Sequence, residues 1–102
     1  RVARYADAAA LLQDLVARAD ALGYAPLAAE IHELLGEVLV DQGEHERAER
    51  ELLQGYELAL GSRDDDVALS AAFKLANLLA SREGRDDDAV PWQVASRALV
   101  RR

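Results

Sequence analysis

The sequence has no cysteine, no methionine, a single lysine and a single tryptophan among its 102 residues. Without cysteine there is no disulfide and no thiolate metal site, and a reducing cytoplasm is the expected location. No apolar run approaches the roughly 20 residues of a membrane span, and no signal peptide is visible. Basic charge is scarce: 12 Lys and Arg face 19 Asp and Glu, a formal net charge of −7. An acidic surface repels nucleic acid and anionic lipid, so neither is an expected partner, and a basic protein or peptide is. Methionine is missing even at the start, which is Arg1, and the chain closes on Arg101 and Arg102. These ends predict an excerpt of a longer protein. The reliance on Arg over Lys matches the composition of GC-rich bacteria.

Alanine and leucine dominate the 51% hydrophobic share, beside 30% charged residues, a helix-forming blend. Apolar residues recur at spacings of three and four almost throughout. Tyr5, Ala8, Ala9, Leu12, Leu15, Val16, Ala19 and Leu22 form one stripe, ended by Gly23. A second helix is expected from Pro26 to Asp41, with Leu27, Ile31, Leu34, Leu35, Val38 and Leu39 inward. A third runs from Glu44 to Leu60 on Ala48, Leu52, Tyr56, Ala59 and Leu60. A fourth runs from Asp66 to Arg82 on Val67, Ala71, Ala72, Leu75, Leu78 and Leu79. A fifth runs from Asp88 to the end, with Pro91 in its first turn, where a missing N–H costs little. Connections of two to five residues force antiparallel neighbours. Gly23, Gly43, Gly61 and Gly84 fall at the expected helix ends. Gly36 and Gly55 fall inside helices, where each costs about 1 kcal/mol relative to Ala and needs a close approach to justify it.

An internal repeat is the strongest signal. Counting from Ala29, Leu35–Gly36 stand at positions 7 and 8, Leu39 at 11, Gly43 at 15, Ala48 at 20, Leu52 at 24 and Gly55 at 27. This pattern resembles the tetratricopeptide repeat, with departures at His32, where Trp or Leu is usual, and at Leu60, where Pro is usual. In a second copy Leu75–Ala76 answer Leu35–Gly36, Leu79 answers Leu39, and Gly84 to Ala89 answer Gly43 to Ala48, with one extra residue before Gly84. The resemblance covers nearly the whole chain. It implies an all-α fold of about five helices, antiparallel pairs in a right-handed superhelix. Residues 1–22 are then the second helix of a preceding repeat, 29–62 one repeat and 69–102 the next. The stretch Ala21 to Glu30 is also similar to linkers in the C-terminal arrays of myxobacterial-type serine/threonine protein kinases. No glycine-rich phosphate loop or His-Arg-Asp loop is present in this chain.

Within that resemblance the concave groove is lined by Glu30, Glu33, Glu37 and Asp41 of the first unit and by Ser70, Phe73, Asn77 and Ser81 of the second. Glu30–Glu33, Glu33–Glu37 and Glu37–Asp41 are like-charge neighbours on one helix, each costing about 0.2–0.5 kcal/mol, so the stripe does not stabilise its own helix. It is either a solvated face or a wall for a basic or amide-rich peptide. Asp64 to Asp66 and Asp86 to Asp88 precede helices and read as caps and first-turn charges, with no metal assigned to them. His32 and His45 lack the partners of a catalytic triad or a metal site, and Trp92 reads as a packing residue of the last helix. No catalytic residue and no cofactor is expected. The expected function is protein–protein interaction or scaffolding, as a regulatory segment of a bacterial serine/threonine kinase. The alternatives are a sensing segment of a transcription regulator and a free-standing adaptor. Bare repeat ends would also let copies self-associate.

Overall fold

The computed structural model describes residues 2–102, apart from the side chains of residues 2, 3 and 5, so Tyr5 of the first stripe lies outside the described residues. Five α-helices follow one another: α1 (Val2–Leu22), α2 (Ala25–Gln42), α3 (His45–Gly61), α4 (Asp65–Ala80) and α5 (Asp86–Val100). No strand occurs among the described residues. Each helix packs on its sequence neighbours, and α2 also meets α4 across the chain. The result is a slab of 33 × 32 × 16 Å. Helices in paired, stacked order are the architecture of a helical repeat. No helix among the described residues is long and apolar enough to cross a membrane.

The expected stripes supply the core. Leu35, Leu39 and Leu52 are fully buried, and Leu75 and Leu79 nearly so. Every inward residue expected of α4 is buried. The second helix is covered on more of its circumference than one stripe: Ala28, Ala29, His32, Glu33 and Gly36 are buried too, whereas Leu27 and Leu34 are exposed. This follows from its place in the middle, touched by α1, α3 and α4. The two interior glycines mark where α2 and α3 close on each other. A Cβ at Gly36 would lie 2.6 Å from Leu52 Cγ, and one at Gly55 would lie 3.1 Å from the Ala29 carbonyl oxygen. Trp92 of α5 meets Tyr56 of α3 edge to face, with ring centroids 4.9 Å apart.

Two expectations at the helix ends need correction, and a third end holds an unexpected residue. α3 ends at Gly61 as expected, but the left-handed residue that follows is Arg63, at φ 59°. The Asp64 N–H then reaches the Ala59 carbonyl at 2.8 Å, closing the last turn as Glu44 does onto Leu39 after Gly43. A left-handed conformation costs a side-chain-bearing residue roughly 1–2 kcal/mol. Arg63→Gly is therefore expected to raise stability by about 1 kcal/mol in urea unfolding, and no gain would mean that Arg63 is not strained there.

The second aspartate triplet lies inside α5 rather than before it, because α5 starts at Asp86. Asp64 does cap α4, accepting from the Val67 N–H at 3.3 Å. Residue 85, by contrast, is an arginine with no capping bond. Asp86, Asp87 and Asp88 therefore meet the helix dipole as first-turn charges. The same early start puts Pro91 at the sixth helical position, past the first turn.

Candidate functional site

The groove residues inferred from the repeat register divide into three groups. Glu37 and Asp41 of α2 stand opposite Asn77 and Ser81 of α4, and these four line one open hollow of about 230 Å³. Val40 and Leu78 supply its apolar surface and Lys74 joins the lining. All four polar residues are exposed. They converge because α2 and α4 are helices that meet across the repeat. The spacing of four between Glu37 and Asp41, and between Asn77 and Ser81, keeps each pair on one side of its helix.

Ser70 and Phe73 line a second hollow with Asp66, Leu69, Lys74 and Val100, toward the α4–α5 end of the slab. Phe73 is 58% exposed there. Glu30 is exposed and lines neither hollow.

Glu33 stands apart. It is buried, next to the close approach of Gly55 of α3, where an added Cβ would lie 3.2 Å from the Glu33 backbone nitrogen. Its Oε2 has no hydrogen bond, and the Lys74 ammonium lies 3.2 Å from it. The same ammonium donates to Glu37 Oε2 at 3.3 Å. The only lysine of the chain thus ties α4 to α2 and neutralises part of the acidic stripe from below. Repetition of charge along α2 indicates a continuous acidic wall, but the wall facing solvent consists of Glu30, Glu37 and Asp41.

One functional-looking residue was not legible as such. His32 is buried, and both of its ring nitrogens contact carboxylates: Nδ1 with Glu51 of α3 at 2.7 Å, and Nε2 with Asp20 of α1 at 3.0 Å. Burial, the largest single influence, pushes the imidazole pKa down. The hydrogen bonds to Glu51 and Asp20 and the two negative charges together outweigh it, so the pKa lies above the ordinary 6.5. The departure of position 32 from an apolar residue was the available signal. Its partners lie 12 residues before it and 19 after it, on other helices, so no local spacing announces them.

Other inter-helix ties are peripheral. Arg47 of α3 donates to Gln13 of α1 at 3.1 Å. Arg85, just before α5, forks onto Glu49 of α3 at 3.2 Å through both terminal nitrogens. Among the described residues, no group of three or more His, Asp or Glu side chains has the geometry to hold a metal ion. No protein-family model, curated protein or solved structure matches this chain.

Proposed function

We propose that this chain is a protein-interaction module of the tetratricopeptide type, which holds an extended basic segment of a partner protein in the groove between α2 and α4. The observation that carries this reading is the convergence of Glu37 and Asp41 with Asn77 and Ser81 around an apolar strip of Val40 and Leu78. The exposed carboxylates of Asp41 and of Glu37, the latter shared with Lys74, attract a cationic side chain, and the Asn77 amide and Ser81 hydroxyl offer donors and acceptors to its neighbours. The apolar strip takes the aliphatic stem of a Lys or Arg. The net charge of −7 steers such a partner toward the surface before contact. The reading assigns binding rather than catalysis to the chain. Similarity of the Ala21 to Glu30 stretch to kinase linkers supports a cytoplasmic role as a regulatory segment of a bacterial serine/threonine kinase.

The test is a pull-down from bacterial lysate, followed by titration of the captured partner's basic segment as a labelled peptide. Glu33 is left intact, because it is buried against Lys74 and its reversal would disturb the fold. The Glu37→Lys, Asp41→Lys double variant is expected to weaken the peptide by about tenfold or more, equivalent to roughly 1.4 kcal/mol, and raised salt is expected to weaken the wild-type complex. Equal affinity for the wild type and the variant, with both folded, would sink the proposal.

A further inference from the structure

We propose that His32, held as an imidazolium between Asp20 and Glu51, is a pH-sensitive pin that fastens α1 to the α2–α3 pair. A neutral imidazole has one N–H and one bare lone pair. Here both ring nitrogens face carboxylate oxygens, at 2.7 Å and 3.0 Å. Only the doubly protonated ring donates to both. Once a proton leaves, one nitrogen presents a lone pair to a carboxylate.

The two contacts are not equivalent. Glu51 is closer and its side chain is 22% exposed, against 48% for Asp20. The remaining proton stays on Nδ1 toward Glu51, the partner less able to turn to water. The Asp20 contact is the one released, and Asp20 belongs to α1. Among the described residues, α2 is the helix whose backbone runs beside α1. Among the described residues, its remaining polar tie to the other helices is the exposed Arg47–Gln13 hydrogen bond. Deprotonation therefore loosens the helix that is least well held. It bares the α1 face built from Ala9, Leu12, Leu15, Val16 and Ala19.

The placement of Asp20 supports the assignment. An acidic residue in the last turn of a helix meets the negative end of the dipole, and α1 has no basic residue there to offset it. Asp20 costs its own helix stability, and the contact with His32 is the compensation the structure provides. The charged groups around the ring are accounted for on every neighbouring helix. From α1 it faces Asp20, and from α3 it faces Glu51. The charge that α4 directs at α2 is Lys74, engaged with Glu33 and Glu37. On α2 itself, Glu33 turns to Lys74.

The direction of the pH dependence follows from the raised pKa. The stabilisation is fully present below 6.5 and is lost as pH rises through the higher folded value. The experiment follows the whole chain by NMR titration of the His32 ring. Amide exchange is measured in parallel on both sides of neutrality and corrected for the intrinsic rate. His32 is expected to stay charged to higher pH than a free imidazole, and α1 exchange is expected to rise several-fold across its titration while α4 stays protected. Asp20→Asn is expected to give α1 fast, pH-independent exchange. His32→Leu restores the apolar residue usual in the repeat and is expected to remain folded with no pH dependence in α1. A His32 ring that titrates below 6.5 would overturn the proposal, as would α1 protection that does not change with pH in the wild type.

Discussion

Replacing Leu52 with alanine is expected to remove about 2–5 kcal/mol of stability, read as a fall in the urea midpoint at unchanged slope. A domain of this kind has roughly 5–15 kcal/mol in total, so one methyl-rich side chain carries a large fraction of it. Leu52 is fully buried and enters the hollow left by the missing side chain of Gly36. The pair is coupled, and this gives a sharper test. Gly36→Ala alone gains helix propensity of about 1 kcal/mol but drives a Cβ to 2.6 Å from Leu52 Cγ. Overpacking of that kind costs about 1–3 kcal/mol, so the single variant is expected to be destabilised or neutral. In the Leu52→Ala background the two side-chain atoms that obstruct are gone, only the residue 52 backbone nitrogen remains close at 3.3 Å, and the same substitution is expected to be markedly less destabilising or to stabilise. Strict additivity of the two changes would mean that Gly36 and Leu52 do not share the space the structure gives them.

Pro91→Ala is expected to stabilise the chain by about 2–3 kcal/mol, raising Tm by on the order of 10 °C. Pro91 sits at the sixth position of α5, where an N–H would donate to the Asp87 carbonyl. Proline lacks that donor, and its ring crowds the carbonyl four residues back. The side chain is exposed, so removing it uncovers no core. Thermal unfolding measures the gain. An unchanged or lower Tm would place the true start of α5 near Asp88, with Pro91 in the first turn, where it is harmless.

Much of the fold was legible because it is local. Apolar spacing of three and four marks a helix wherever it occurs, and all five helices lie within two residues of their expected bounds at each described end. Gly36 and Gly55 could be read as close approaches because a glycine inside a helix has no local justification. The helix ends were read less well. Arg63 takes a conformation suited to glycine, since the chain's path between α3 and α4 sets it there whatever residue is present. Gly61, one turn's fraction earlier, offered the more obvious stop.

The candidate groove divides in the same way. Helical periodicity alone put Glu30, Glu33, Glu37 and Asp41 on one stripe, and the repeat register set Asn77 and Ser81 opposite. Which members face solvent depends on what lies across from them. Glu33 is buried because α3 approaches it through Gly55 and α4 reaches it through Lys74. Glu37 and Asp41 remain open because they line the hollow between α2 and α4.

The sequence by itself determined the helices, their order, their short connections and the acidic surface, since propensity, periodicity and net charge depend only on residues near one another or on their sum. The tertiary structure decided the Glu33–Lys74 tie, the division of the acidic stripe and the placing of His32 between Asp20 and Glu51. Those depend on side chains from different helices meeting at about 3 Å, a distance fixed by how the helices pack and not by any spacing along the chain.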